Sequence, residues 1–198
     1  MKKNILLSLL LALAALPMAG FGQSFILFEE DFENTPSSFT LNTDGIAGAP
    51  IGTNTWIIND EYDGFPLYPE TPNQDSVLSG TIGGAPFSNY LHIHDANSFP
   101  GVANANYDPS NASDNFVELT SGFCTQGMTN ITFAFFYICE GTVDDYGELY
   151  YSADGDPWTQ VGLTKYNNTD KWKYEVVNDP AFAGVEDLRF GFRWVNGS

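Results

Sequence analysis

Basic residues are scarce in this chain. Its 198 residues include 7 Lys or Arg against 25 Asp or Glu, and none of the 7 lies between residues 23 and 164. An acidic stretch of that length repels phosphate backbones and anionic lipid headgroups. The composition therefore argues against nucleic acid and membrane surfaces as partners, whereas divalent cations suit it.

Helical periodicity and catalytic motifs are also missing. No segment after residue 23 keeps an apolar repeat of 3.6 residues over three turns, which argues against a helical bundle. The sequence contains no Gly-x-Ser-x-Gly nucleophile motif, no Cys–His pair and no phosphate-binding glycine loop. Hydrophobic residues make up 43% of the chain and aromatic residues 15%, so a folded core is expected.

The first 22 residues have the pattern of a secretory signal peptide. Lys2 and Lys3 precede an apolar run over residues 5–16, and small residues follow at 19–22. The apolar run is too short to span a bilayer, and no stop-transfer segment comes after it. We expect export to the medium or the cell surface, with one mature domain over residues 23–198 that does not insert into membranes.

Short strand patterns separated by Gly, Pro, Asn and Asp predict an all-β protein, an antiparallel β-sandwich. The dense apolar run at 131–139 is expected at the centre of the sandwich, and residues 153–157 are expected to form a hairpin turn. Residues 60–89 are expected to form a surface loop. The predicted strands cover residues 25–32, 55–59, 90–94, 116–120, 131–139, 148–152, 158–161, 172–176 and 188–195.

Several motifs follow one another in a recognisable order. They are Phe-Glu-Glu-Asp-Phe-Glu at 28–33, Trp56, Tyr-Leu-His-Ile at 90–93, Thr-Asn-Ile-Thr-Phe at 129–133, the 146–155 segment with Trp158, Trp172, and Leu-Arg-Phe-Gly-Phe at 188–192. In this order they resemble the N-terminal jelly-roll module of secreted Bacteroidota proteins that use type IX secretion. That module is similar to the MAM and cleaved-adhesin β-sandwiches. The resemblance covers nearly all of residues 25–195 and implies recognition or adhesion at the cell surface.

The resemblance also bears on the end of the chain. Apolar residues alternate through 188–195, as in a central strand, and 196–198 then opens a turn. In the family, the next segment is a last strand that carries two acidic residues. The resemblance therefore implies that the sandwich lacks its last strand, and we expect an open sheet edge beside 188–195 or an uncovered groove.

Three carboxylates alternate along the first predicted strand. Glu29, Asp31 and Glu33 would share one face, and Asp60 or Asp63 could supplement them as oxygen ligands for calcium. Calcium stabilisation is also implied by the resemblance. The same pattern resembles the catalytic strand of some jelly-roll glycosidases, although that strand lies mid-chain there. A solvated acidic edge that blocks aggregation is the third interpretation.

The two histidines of the chain, His92 and His94, alternate on another predicted strand. A zinc hydrolase would need a third protein ligand and an open coordination position, which this sequence does not offer. We therefore expect solvated imidazoles at a strand end.

Cys124 and Cys139 are the two cysteines. In an exported protein, an even pair favours a disulfide, and a loop of about 15 residues would be stabilised by about 3 kcal/mol. Two buried free thiols are the alternative.

Aromatic side chains supply candidates for ligand contact. Tyr62, Tyr68 and Tyr107 lie in predicted loops, where rigid rings with polar tips could stack on sugars or contact a protein surface. Trp56 and Trp194 lie in predicted strands, so we expect them in the core.

Together these patterns predict an extracellular, non-catalytic binding or adhesion module, stabilised by calcium, whose partner is a glycan or a protein surface. The alternative is an accessory N-terminal domain of a larger secreted hydrolase or peptidase. A jelly-roll glycosidase is the third hypothesis.

Overall fold

The computed structural model describes residues 25–44, 46, 48, 50–64, 69–74, 84–98 and 103–197. The predicted signal peptide and Tyr68 lie outside these residues. The described part of the chain forms nine strands and one short 3-10 turn, Pro180–Phe182. The strands are β1 (Phe39–Thr43), β2 (Asn54–Asn59), β3 (Tyr90–Asp95), β4 (Ser113–Leu119), β5 (Thr132–Cys139), β6 (Asp145–Ala153), β7 (Thr159–Tyr166), β8 (Thr169–Asn178) and β9 (Leu188–Asn196).

The first layer is a five-stranded antiparallel sheet in the order β1-β4-β9-β6-β7. Its central strand is β9, because Phe192 lies beside Val117 of β4 on one side and beside Leu149 of β6 on the other. The alternation at 188–195 predicted a central strand, and that prediction is confirmed. The open edge expected beside this strand is wrong, since both of its edges are paired.

The second layer consists of two separate pairs of strands, β2–β3 and β5–β8. Both pairs are antiparallel, so the prediction of an all-β antiparallel sandwich is confirmed. The expectation that 131–139 forms a central strand is wrong for the described residues, among which β5 has one hydrogen-bonded neighbour, β8. The continuous apolar run suggested burial on both faces. In the fold, Phe133 and Phe135 face the core, while Phe136 on the other face packs against the half-exposed ring of Tyr174.

The core lies between the two layers. Phe133 of β5 stacks on Phe190 of β9 with 4.0 Å between ring centroids, which joins the layers directly. Burying a large apolar side chain contributes about 1.5–3 kcal/mol, so this aromatic contact is a main source of stability. The buried hydrophobic cluster comprises Phe39, Val117, Leu119, Leu149, Tyr166, Val177, Phe182, Val185, Leu188 and Phe190.

The N-terminal segment differs from the prediction. Residues 25–32 form no strand, although Phe28 and Phe32 do pack against the core. Phe32 has a positive φ of 62°, which a continuous strand does not allow. The first strand is β1 instead, and Asn42, with φ of 53°, accompanies a break in its pairing with β4. The Pro- and Ser-rich start and this irregularity concealed β1 in the sequence.

Among the described residues, no helix is long and apolar enough to cross a membrane.

Candidate binding groove

A groove of about 1400 Å³ runs between the two strand pairs of the second layer. One wall is formed by the edge of β3 and the other by the edge of β5, while side chains of β9 and β6 form the floor. We call this feature the split-layer groove. Its central lining comprises Leu91, Ile93, Phe133, Phe135, Phe192 and Trp194.

Aromatic rings fix the shape of the floor and of the β5 wall. Phe135 meets Phe192 edge to face with 5.1 Å between ring centroids, and it meets Tyr166 in the same way at 5.5 Å. Edge-to-face pairs of this kind contribute about 0.5–1.5 kcal/mol beyond burial. The groove is therefore held open by packed rings, so a ligand would meet a preformed surface.

Trp194 lies at one end of the groove. Its side chain is 5% exposed, its ring meets Tyr107 edge to face at 5.0 Å, and its Nε1 has no hydrogen-bond partner among the described residues. The Tyr107 hydroxyl donates to Oδ2 of Asp145 at 3.1 Å. Burial, followed by the Asp145 carboxylate, raises the pKa of Tyr107 to about 12, so this hydroxyl stays protonated. Tyr107 thus lines the groove, while its hydroxyl is already engaged.

Trp172 and Tyr90 lie at the groove beside the loop that follows β2. The Trp172 indole Nε1 donates to the Pro72 carbonyl oxygen at 2.7 Å, and its ring meets Tyr90 edge to face at 5.8 Å. The Tyr90 hydroxyl contacts Oγ1 of Thr71 at 3.1 Å. Since Trp172 belongs to β8 and Tyr90 to β3, this contact ties the two strand pairs together.

His92 is buried below the same loop. It is 7% exposed, and its Nε2 lies 2.7 Å from Oδ1 of Asn59. Burial lowers the pKa of His92 to about 4, so the imidazole is neutral at neutral pH. The solvated imidazole expected at this position is therefore wrong. The loops around β3 cover the face of the strand that the sequence suggested was open.

Tyr62 is also buried, against the expectation of a surface ring. It is 5% exposed, and its hydroxyl donates to the Ser88 carbonyl oxygen at 2.7 Å. Burial raises the pKa of Tyr62 well above its usual range. Phe87 and Tyr90 pack against the ring, so Tyr62 supports the loop and does not present a ligand surface.

The predicted carboxylate face is not formed, because residues 25–32 are not a strand. Glu33 accepts hydrogen bonds from the Asn89 backbone N–H at 2.7 Å and from Asn89 Nδ2 at 3.0 Å. Asp31 accepts one from the Glu33 N–H at 3.1 Å, while Glu29, Asp60 and Asp63 are exposed. No group of three potential metal ligands occurs in the described part of the chain. Calcium binding stays a prediction, without a ligand set in the fold.

The predicted disulfide between Cys124 and Cys139 is wrong for this fold, since both thiols are free. Cys139 lies beside Gly147 of β6, whereas Cys124 follows Phe123, which bridges to Leu188 opposite Ala153 of β6. Six strand residues separate these two positions, which is about 20 Å at 3.3 Å per residue. A disulfide needs Cα atoms within about 7 Å. The disulfide was expected because the sequence predicts export, and export says nothing about the distance between the two cysteines.

Charge around the groove has one sign. Carboxylates line it, and no Lys or Arg of the described residues does. Glu148 borders the groove through its backbone, because its carboxylate points to the outer face of the first sheet, where Arg193 reaches it at 3.1 Å and also contacts Asp114 at 2.6 Å. The remaining acidic lining residues are Glu29, Glu30, Asp31, Glu70 and Glu140.

An uncovered groove was one of the two expectations for the end of the chain, but its place between β3 and β5 and two of the residues that shape it were not predicted. Gly147 lines the floor, and the unpartnered Trp194 Nε1 lies at the same end. A glycine inside a strand pattern signals either a bulge or close approach by another group, and this was the available sign.

Compared with known protein families, curated proteins and solved structures, the chain shows no match.

Proposed function

We propose that this chain is an extracellular, non-catalytic binding module, a jelly-roll sandwich that takes its ligand in the split-layer groove. The observation that carries the proposal is the groove: about 1400 Å³ of preformed, aromatic-lined space between two strand edges. Ligand sites are concave and mostly apolar, with a few polar groups that orient the ligand.

Three titratable side chains are committed to structural contacts, which supports a non-catalytic role. His92 is neutral and engaged with Asn59, and both carboxylate oxygens of Glu30 accept backbone N–H groups. Glu148 is held by Arg193 and by the Tyr150 hydroxyl. Side chains that are committed to structural hydrogen bonds are poor general acids and bases, because catalysis needs a group free to exchange its proton with substrate.

The ligand classes that fit are an extracellular glycan and a protein surface. Trp172 and Tyr107 offer aromatic area at the groove, which suits either class. The accessory-domain alternative uses the same groove, since an accessory domain also acts by binding. Calcium stabilisation is a separate part of the proposal and rests on the net charge of −18 and on the exposed carboxylates of Glu29, Asp60 and Asp63.

Immobilised mucin as a glycoprotein, and collagen and fibronectin as protein surfaces, test this proposal. The variant Gly147→Ile narrows the groove beside Trp194, and Val176→Ile on the exposed outer face of β8 is its matched control. We expect at least one probe to bind the parent chain and Val176→Ile equally, and to bind Gly147→Ile more weakly. The proposal would be contradicted if Gly147→Ile bound the probes as well as the parent chain does, or if the chain released sugar or peptide fragments from the probes.

A further inference from the structure

The two walls of the split-layer groove are unpaired strand edges. Within the described residues, β3 has β2 as its one strand neighbour and β5 has β8, although the Asp95 N–H at the end of β3 already donates to the Asn106 carbonyl oxygen at 2.9 Å. Their remaining edges face each other across an apolar floor. An open edge presents a row of backbone N–H and C=O groups, which is a template for another strand.

From this geometry we propose that the groove binds an extended segment of a separate protein, added as a β-strand between β3 and β5, with apolar residues at alternate positions and Lys or Arg around them. The proposal rests on the function proposed above and names its ligand class. The added strand would join β2–β3 and β5–β8 into one five-stranded sheet facing the five strands of the first layer.

The backbone favours a polypeptide over a glycan. Strand addition uses main-chain hydrogen bonds for affinity and pockets for alternate side chains for specificity. The open part of β3 stops before Asp95 and is five residues long, and β5 is eight residues long, so a matching segment would span about 17–26 Å. Sugar hydroxyls do not repeat the alternating donors and acceptors of a strand edge.

The floor favours apolar side chains on one face of the added strand. Phe133, Phe135 and Phe192 supply aromatic surface under the gap. Side chains of an added strand alternate between this floor and solvent, so every second residue would be buried.

Trp194 is a second observation that points to a bound segment in the groove. Its indole is 5% exposed and lines the groove, yet Nε1 has no acceptor in the described part of the chain. A buried N–H without an acceptor is unfavourable, and native folds seldom keep one. Because Nε1 has almost no accessible surface in the free chain, a carbonyl oxygen of the added strand would supply the acceptor after a small shift of the ring towards the groove.

Charge selects the kind of partner. The lining carries carboxylates and no Lys or Arg, so a cationic segment would be attracted and an acidic one repelled. This disfavours a second copy of this chain as the donor: its exposed apolar segment, Phe25 to Leu27, runs directly into Glu29, Glu30 and Asp31.

A peptide array provides the test. Eight-residue peptides would alternate Val, Leu or Phe with Lys and Thr, and each would be titrated against the whole chain by fluorescence anisotropy. Two matched series would replace Lys by Glu, or carry N-methyl groups on alternate amides. We expect the cationic series to bind and the N-methylated series to bind about tenfold more weakly or worse, because several backbone hydrogen bonds are lost. The Glu series should bind more weakly than the Lys series, and the difference in affinity should become smaller at high salt.

Variants locate the site. Trp194→Phe and Gly147→Ile should each weaken peptide binding severalfold, and Val176→Ile should leave it unchanged. Failure of every peptide, or equal binding of the N-methylated series, would overturn the proposal. Mucin binding that Gly147→Ile weakens, without peptide binding, would keep the proposed function and reject the strand. If residues that follow Ser198 in a longer gene product fill the groove and block peptide binding, the proposal of a separate partner protein would also be overturned.

Discussion

Gly147 of β6 lies directly opposite Trp194 of β9, and both line the split-layer groove. A Cβ atom added at Gly147 would meet the Tyr166 Cβ at 3.7 Å and the Arg193 carbonyl oxygen at 3.9 Å, which are ordinary contacts. A side chain is therefore tolerated here, and its absence leaves space beside the Trp194 ring.

Gly147→Ile is expected to stabilise the free chain. Glycine within a strand is unfavourable by about 0.5–1 kcal/mol, and the new side chain covers apolar surface in the groove. For a domain of this size we expect Tm to rise by about 2–4 °C per kcal/mol gained. Differential scanning calorimetry of the parent, Gly147→Ile and Val176→Ile measures this. A lower Tm for Gly147→Ile alone would show that no space exists at this position.

Trp194→Phe removes the unpartnered N–H but keeps an aromatic ring. The lost packing and the relieved donor should largely offset each other, so the free energy of unfolding should change by no more than about 1 kcal/mol. Trp194→Ala should cost about 3–5 kcal/mol, because it leaves a cavity. Urea unfolding compares the two. A loss from Trp194→Phe as large as that from Trp194→Ala would show that Nε1 is satisfied in the fold.

His92 predicts a specific loss of stability in acid. Its pKa is about 4 in the fold and about 6.5 when unfolded, so the unfolded chain takes up a proton first as pH falls. The stability due to neutral His92 is fully present above pH 6.5 and is lost as pH falls towards 4, by up to about 3 kcal/mol.

His92→Gln isolates this contribution, because Gln can still hydrogen-bond to Asn59 without titrating. Urea unfolding at intervals between pH 7 and pH 4 should give a flatter profile for His92→Gln than for the parent chain. Identical slopes would mean that His92 is not buried as a neutral group.

Both cysteines should be free. We expect intact mass after alkylation without reductant to show the exposed Cys124 labelled in the folded protein. Cys139, which is partly buried and whose pKa burial raises, should be labelled fully only after unfolding. A folded protein that takes up no label until it is reduced would restore the disulfide and contradict the positions of the two thiols.

Calcium stabilisation is tested by thermal melts in calcium and in chelator. The acidic chain and its exposed carboxylates should bind a hard cation in the native state and raise Tm by several degrees. Magnesium at equal concentration is the control for simple charge screening. Identical melts in calcium and chelator would exclude a specific site.

The strands that the sequence predicted well are those whose pattern is local. Alternation marked β9, and the apolar segments around Trp56 and Leu91 marked β2 and β3 to within about one residue. In these strands, successive side chains alternate between the core and the opposite face, so hydrophobic residues recur at every second position of the sequence.

The features that the sequence did not predict depend on which strands pair with each other and on which loops cover them. Whether β5 lies beside one strand or two is a property of distant segments, and its apolar run looks the same in either case. Likewise, Tyr62 has acidic neighbours along the chain and His92 lies on the polar side of an alternating strand, but both become buried when residues 84–89 and 103–104 fold over them. The groove follows from the same missing pairing: the sequence led to an uncovered groove only as an alternative to an open edge, and no local pattern placed it between β3 and β5.

Hydrogen exchange of the backbone amides measures the central claim most directly. The whole chain would be compared with and without a cationic, alternating peptide at saturation. We expect exchange to slow along β3 and β5, whose open edges gain partners, while β9, already paired on both sides, changes little. Unchanged exchange in β3 and β5, or protection confined to the outer face of the five-stranded sheet, would contradict binding in the groove.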